Sequence, residues 1–424
     1  MASFLPATPN SILQATEAED PSETISMLYQ VLDDPSSSPD ALDVKVLAIK
    51  HLTEKLAEEN RPEDLCSLFT QLRLRPFFSS IAKVKTAKTV RGILDSVCKI
   101  PGTSDLQLAL CKEMVQWTRA QKHTLLRQRL EERLAAILME NKEYLEALTL
   151  LNGLLQDVRR LDDKRLLVDI HLLQSKLHVS LRNVPMAKAA LTAARTAANS
   201  VLVPPAQQGA IDFQSGILHT EENDYNTAFS YFMEAFEIFE TLDDPTKDAI
   251  SLKYMLLCLN MMNQPDGVAL IIDSWTGQLY LGPDLDVMKA VADALSKRSV
   301  NLFEIALRDY KTQIEKDPIV HRHLSSLYDT ALELNLCRLI EPFSRVEIAH
   351  ISELIKLPVD HVERKLSQMI LDKMFTGTMD QGAGCLVIFD DPKTDAIYPA
   401  TLETISNTRK VVNSLCARSA KIIE

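Results

Sequence analysis

Glu341-Pro342-Phe343-Ser344-Arg345-Val346-Glu347-Ile348 opens a stretch, reaching Asp391, that the rest of the 424-residue chain is organised to hold. Ser344 and Glu347 have the S-x-x-E spacing of a capping box, and Phe343 and Ile348 stand at the staple positions, so the spacing predicts a helix starting at Ser344. Ile348, Ile351, Leu354 and Ile355 continue it at helical period. Leu357-Pro358 ends that helix and puts a proline at the start of the next, where its missing N–H costs nothing. The second helix shows Val362, Leu366, Met369 and Ile370 on one face. Phe375 to Asp380, the turn Gln381-Gly382-Ala383-Gly384 and the β-prone run Cys385 to Phe389 then read as a hairpin. Two helices followed by a hairpin make a winged helix.

Charge decides what such a module docks against. Arg345, Lys356, Arg364, Lys365 and Lys373 stand against Glu341, Glu347, Glu353, Asp360, Glu363, Asp372, Asp380, Asp390 and Asp391, a net of −4. Affinity for a nucleic-acid backbone comes mainly from Lys and Arg neutralising phosphates, and this module lacks that footprint. The reading is therefore a winged helix used for protein–protein docking, with the strand Cys385, Val387, Phe389 as an exposed edge for lateral pairing.

Composition agrees with a large scaffold. The chain is 46% hydrophobic, carries a formal charge of −12, and has only 11 glycines and 6% aromatic residues, which favours an all-α body. The acidic balance argues against nucleic acid and acidic lipid as partners. No run of 18 or more apolar residues and no signal-peptide pattern at the start are found, so a membrane span is not expected and the cytoplasm and nucleus are. Seven cysteines, widely spaced and without C-x-x-C, read as small buried hydrophobes rather than a disulfide framework or a zinc site.

Residues 1–40 read as a weakly structured lead, broken at Asp20-Pro21 and Asp33 to Pro39, with one short helix over Thr24–Leu32. From 41 to 283 a repeat takes over. Its clearest copies start at Tyr144, Met186, Tyr225 and Asp266, at intervals of 42, 39 and 41 residues, each followed three residues later by Ala147, Ala189, Ala228 or Ala269. Extended backwards, the period predicts further starts near 104 and 63, making six units. A polar turn followed by a small residue suits helical hairpins that stack into a right-handed solenoid, although an unrelated series of amphipathic helices would look similar. The period exceeds the roughly 34 residues of tetratricopeptide repeats, so the units are tetratricopeptide-like. The pattern fades from Trp275 to Pro283, and helices resume over 284–340 before the winged helix of 341–391. A final helix from about Pro399 to Lys421, within 392–424, carries Ile405, Thr408, Val412 and Leu415 at 3, 4, 3 spacing, a seam for a helix bundle.

Chemical motifs are mostly absent. No P-loop, dinucleotide, G-x-S-x-G or H-E-x-x-H pattern occurs, so catalysis and cofactors are not expected. His321-Arg322-His323 has the H-x-H of metalloprotease-type deubiquitinases, but Ala331 and Leu334 stand where that signature needs serine and aspartate. The pair reads as solvent-facing histidines, since a zinc site needs three or four ligands. Glu58-Glu59, Asp162-Asp163 and Asp243-Asp244 read as turn or cap carboxylates. Lys83, Lys85, Lys88 and Arg91 form a basic run without stacking aromatics, which suits an acidic protein surface or solvation better than nucleic acid.

The order of helical repeats, Leu339 to Glu347, Ile355 to Glu363, Leu366 to Lys373 and a Gly-rich wing resembles a PCI domain, the module shared by the proteasome lid, the signalosome and a translation initiation factor. Leu145–Leu148, Leu161–Lys164, Ala193–Val201, Phe213–Ile217 and Tyr225–Phe232 are similar to a PCI subunit of the proteasome lid in particular. The resemblance implies a non-catalytic role. It implies lateral association with other PCI subunits through winged helices, a C-terminal helix joined to their common bundle, and the lid deubiquitinase subunit among the partners. It also implies N-terminal repeats that reach the ATPase ring subunits and the α-ring of the core particle. A scaffold in another PCI assembly is the alternative.

Overall fold

The structure is a computed structural model that describes residues 5–17, 20–36, 38–74, 77–100, 102–280, 282–297, 299–355, 357–389 and 397–423. It divides into two compact units, Met1–Cys258 and Leu259–Glu424. Lys356, Asp390, Asp391 and the loop after Pro392, read above as part of the module and its exit, lie outside the described residues.

The first unit is helical throughout. It runs α1 (Pro9–Glu17), α2 (Pro21–Leu32), α3 (Pro39–Glu58), α4 (Pro62–Leu74), α5 (Phe77–Ser80), α6 (Lys83–Cys98) and α7 (Ser104–Ala120). Then come α8 (Thr124–Glu140), α9 (Tyr144–Leu161), α10 (Lys164–Ser180), α11 (Val184–Asn199), α12 (Pro205–Glu221), α13 (Tyr225–Thr241) and α14 (Pro245–Met261), whose last turn crosses the division. The starts expected near 63 and 104 are the first turns of α4 and α7.

The lead expected to be weakly structured is instead two helices of the core. Ile12, Ala15, Ile25, Leu28 and Val31 are buried in the same cluster as Leu52, Phe69, Trp117 and Leu154. Asp34 ties the segment down, because its carboxylate accepts the Ala7 N–H at 2.6 Å and the Ser36 hydroxyl at 2.8 Å. The Ala7 contact chiefly holds that carboxyl below its ordinary range. The misreading came from proline: Pro21 and Pro39 break a helix interior but start a helix when they occupy its first position, as Pro9, Pro62, Pro205 and Pro245 also do.

Seven of these helices, α3, α7, α8, α10, α12, α13 and α14, stop by one repeated device. Asn60, Lys122, Lys142, Arg182, Asn223, Asp243 and Asn263 adopt left-handed backbone, and the next N–H reaches back to the carbonyl five residues earlier, as His123 to Thr118 and Asn183 to His178. These are Schellman stops built without glycine, which is why a chain with so few glycines turns so often. Measured from Lys142, Arg182, Asn223 and Asn263 the repeat interval is 40, 41 and 40. The residue five positions on is Ala147, Ala187, Ala228 or Val268, each fully buried. Ala189 and Ala269, taken above as the small packing residues, are exposed; the polar turns vary in composition, and the backbone stop is the truer ruler.

The second unit continues with α15 (Pro265–Asp273), α16 (Trp275–Leu279), α17 (Pro283–Ser296), α18 (Val300–Asp309), α19 (Lys311–Lys316) and α20 (Pro318–Ile340). The winged helix follows as β1 (Arg345–Glu347), α21 (Ile348–Ile355), α22 (Val359–Leu371), β2 (Gly377–Asp380) and β3 (Cys385–Ile388). The chain ends in α23 (Ile397–Ile423). Leu332, Leu336 and Ile340 of α20 share a core with Val346, Ile348, Ile351, Val362, Leu366 and Leu386, and Lys365 pairs with Glu333 at 2.8 Å across the α20–α22 contact.

The expected capping box at Ser344 and Glu347 does not form. Arg345–Glu347 is a strand, exposed–buried–exposed, and α21 starts only at Ile348. Val346 alternates inward and pairs with Leu386, so a long-range ladder overrides a local cap. The wing is consequently a three-stranded antiparallel sheet in the order β1-β3-β2.

Candidate interaction surfaces

The wing turn is built by Asp380, whose Oδ1 accepts the N–H groups of Gly382 and Ala383 at 3.1 and 3.2 Å, while Gly384 takes the left-handed conformation that closes it. β3 thereby lies in the middle of the sheet. Val387 pairs with Arg345 on one side and Thr378 on the other, Cys385 is buried, and the Phe389 N–H bonds the Thr376 carbonyl at 2.9 Å. The expectation that Cys385 to Phe389 offers an open strand edge is overturned; the free edges are β1 and β2. Of the three named side chains Phe389 is exposed, as is Phe343 just before β1.

The basic run on α6 also divides. At about 100° per residue, Lys83, Lys85, Lys88 and Arg91 fan around more than half of the helix. Lys85 pairs with Asp43 of α3. Lys83 and Arg91 join Lys122 and Arg129 around a groove of about 520 Å³, with Val84, Ala87, Leu125 and Leu126 as its apolar lining and Asp163 at one side. Lys88 faces a second groove of about 380 Å³ with Leu47, Lys50 and Arg91. Lys122 and Arg129 escaped the sequence reading because they lie 31 and 38 residues beyond Arg91 and reach it only through packing.

Beside that groove the inner helices carry a carboxylate cluster. Arg129 Nη1 donates to Asp169 at 3.1 Å and lies 3.5 Å from Glu132, and Gln207 donates to the other Asp169 oxygen at 2.5 Å. Burial, then repulsion from Asp169, pushes the Glu132 carboxyl up to about 7 despite Arg129; burial also raises Asp169. The folded chain therefore holds the Glu132 proton more tightly than the unfolded chain, whose glutamate titrates near about 4.3. Its contribution to stability is present below that value and is lost as pH rises towards 7. Glu132→Gln is expected to stabilise the first unit by about 1–3 kcal/mol at pH 8 and scarcely at pH 4.5. Chemical denaturation at the two pH values checks the difference.

On α23, Ile405, Val412 and Leu415 are 64%, 51% and 58% exposed, and Thr408 is exposed with its hydroxyl bonded to the Thr404 carbonyl. The seam read from the sequence is helical and uncovered, and Leu402 extends it.

Elsewhere, His323 is buried while His321 is exposed, so the two are not a solvent-facing pair; two positions apart on α20, they lie about 200° apart around the helix. Asp163 and Asp244 accept helix N-terminal N–H groups. Cys416 is exposed, unlike Cys111, Cys258 and Cys385, because it lies on the uncovered helix. Among the described residues no three His, Cys, Asp or Glu side chains are grouped to hold a metal ion, and no helix is long and apolar enough to cross a membrane.

Two family models match the chain. The 26S proteasome regulatory subunit RPN6 N-terminal domain covers residues 10–141, and the PCI domain covers residues 307–390. The 26S proteasome non-ATPase regulatory subunit 11 homolog of Arabidopsis thaliana is 70% identical over 98% of this chain and 99% of its own. The probable 26S proteasome regulatory subunit rpn6 of Schizosaccharomyces pombe is 43% identical over 96% of this chain and 97% of its own. The regulatory subunit RPN6 of Saccharomyces cerevisiae is 42% identical over 81% of this chain and 80% of its own. Helices that stack from residue 9, a PCI winged helix later in the sequence and this likeness over nearly the full length agree: the chain belongs to the family of the 26S proteasome non-ATPase regulatory subunit 11.

Proposed function

We propose that this chain is a non-catalytic structural subunit of the proteasome regulatory particle lid. It holds lid, ATPase ring and core particle together, and so supports ATP-dependent degradation of ubiquitinated proteins in cytoplasm and nucleus. The observation that carries the reading is α23, a 27-residue helix whose apolar stripe is left in water; a helix of that kind is built to enter a bundle. We assign it to a bundle with other lid subunits, including the lid deubiquitinase subunit. The free β1 and β2 edges, with Phe343 and Phe389 beside them, serve lateral pairing with neighbouring PCI subunits.

The basic groove is the surface offered to the ATPase ring and the α-ring of the core. Four cations around an apolar lining suit an acidic segment with an apolar side chain, and such contacts weaken with salt. Double replacement Lys83→Glu with Arg91→Glu is expected to loosen the hold on core particle on the order of tenfold at physiological salt, whereas Lys85→Glu, which loses only its Asp43 pair, does much less. Core retention by purified regulatory particles across a salt series reads this. Equal retention by both variants at every salt concentration would remove the groove from the interface without touching the α23 assignment.

A further inference from the structure

Two tryptophans occur in the chain, and they are used in opposite ways. Trp117 is 9% exposed inside the first unit, whereas Trp275 is 80% exposed. Burying an indole is among the largest single gains a side chain offers to a fold, so an indole left in water contributes nothing to this chain's own core.

Its position is nonetheless built with care. Ser274 ends α15 and caps α16: its hydroxyl donates to the Ile271 carbonyl at 2.6 Å and accepts the Gly277 N–H at 3.2 Å. Gly277 is buried against the end of α15, where a Cβ would lie 2.2 Å from the Ile271 carbonyl oxygen and 2.6 Å from that of Ile272. Only glycine lets the five-residue helix close there. On the helix so held, Trp275 and Leu279 are one turn apart and share a face, and Leu279 is 63% exposed. Leu270 of α15 is exposed as well.

The segment's own charges, from the end of α14 into α17, have a single sign. Residues 262–288 contain Asp266, Asp273, Asp284 and Asp286 and no Lys, Arg, His or Glu, and all four aspartates are exposed. Exposed Trp and Leu on a segment whose charges are all acidic form the complement of an apolar socket bordered by cations, and tryptophan is enriched among interface hot spots.

We propose that α15 and α16 form a docking knob whose occupant is a partner-protein surface with an apolar socket bordered by Lys and Arg. Trp275 and Leu279 fill the socket, and the four aspartates set its orientation. This contact uses none of the residues assigned to the wing edges, the α6–α8 groove or the α23 seam.

The test places a benzophenone amino acid at exposed Gln278 of the full-length chain, inside assembled regulatory particles, followed by irradiation and mass spectrometry. One dominant crosslink to a segment of another subunit with Lys or Arg within a few residues is expected. Trp275→Ala added to that chain should lower the crosslink yield at least tenfold, and Asp273→Lys with Asp284→Lys should lower it more at low salt than at high salt. The melting curve of the free Trp275→Ala chain should match the parent, since the indole supports no core. Absence of a crosslink, a crosslink to a segment without basic residues or to a second copy of this chain, or a yield indifferent to Trp275→Ala would each overturn the proposal.

Discussion

A chain ending at Pro399, or one carrying Val412→Asp with Leu415→Asp, is expected to fold normally and to be almost absent from assembled lid. Ile405, Val412 and Leu415 are each more than half exposed in the chain by itself, so replacing them costs the free protein little. Moved from water into a bundle, each contributes roughly 1.5–3 kcal/mol, so losing all three removes at least about 4 kcal/mol, or roughly a thousandfold in affinity. Thermal melts of the free chain and sedimentation of the assembled lid read the two halves separately. A truncated chain that melted many degrees lower and still assembled would show instead that the seam packs against its own winged helix.

Val387→Pro is expected to unfold the winged helix, not merely to weaken its docking. The Ile388 N–H bonds the Ser344 carbonyl and the Phe389 N–H bonds the Thr376 carbonyl. Antiparallel alternation then directs the N–H of Val387 at Thr378 on β2. Proline in a central strand loses that ladder bond, and Leu386 next to it is fully buried. Arg345→Pro is the contrast, because the same alternation points the Arg345 N–H away from β3, into the free edge. That variant should melt within a few degrees of the parent yet pair poorly with a neighbouring PCI subunit. Near-ultraviolet circular dichroism and pull-down of the neighbour distinguish the two; equal melting of Val387→Pro and the parent would contradict the central place of β3.

What could be read from the sequence alone follows from the range of the interactions involved. The helices of the repeats were legible because their apolar spacing and polar turns are local, and even the small buried residues at Ala147 and Ala228 showed. The register slipped at Ala189 and Ala269 because turn composition varies while the left-handed stop at Arg182 and Asn263 does not announce itself by glycine. The first helices were missed since Pro21 reads as a breaker until its place at a helix start is known. β1 was missed for a different reason: Ser344 and Glu347 satisfy a local capping rule, and only pairing with Leu386, forty residues on, overrides it. Strand order is non-local, so the middle strand was mistaken for an edge. The basic run failed similarly, as Lys83 and Lys85 point to different sides of α6 and the cations that complete the groove, Lys122 and Arg129, belong to the α7–α8 turn and α8. The stretch around Trp275, where the repeat pattern fades, holds the most exposed aromatic side chain in the chain's second unit among the described residues.

The most direct measurement is affinity purification of the tagged full-length chain from native extract at low salt, with its partners quantified by mass spectrometry. Near-stoichiometric recovery of the other proteasome lid subunits, with ATPase ring and core particle subunits that fall away as salt is raised, is the result expected of a lid subunit that bridges to the core. Recovery of signalosome or translation initiation factor subunits in their place, or of the chain alone, would contradict it.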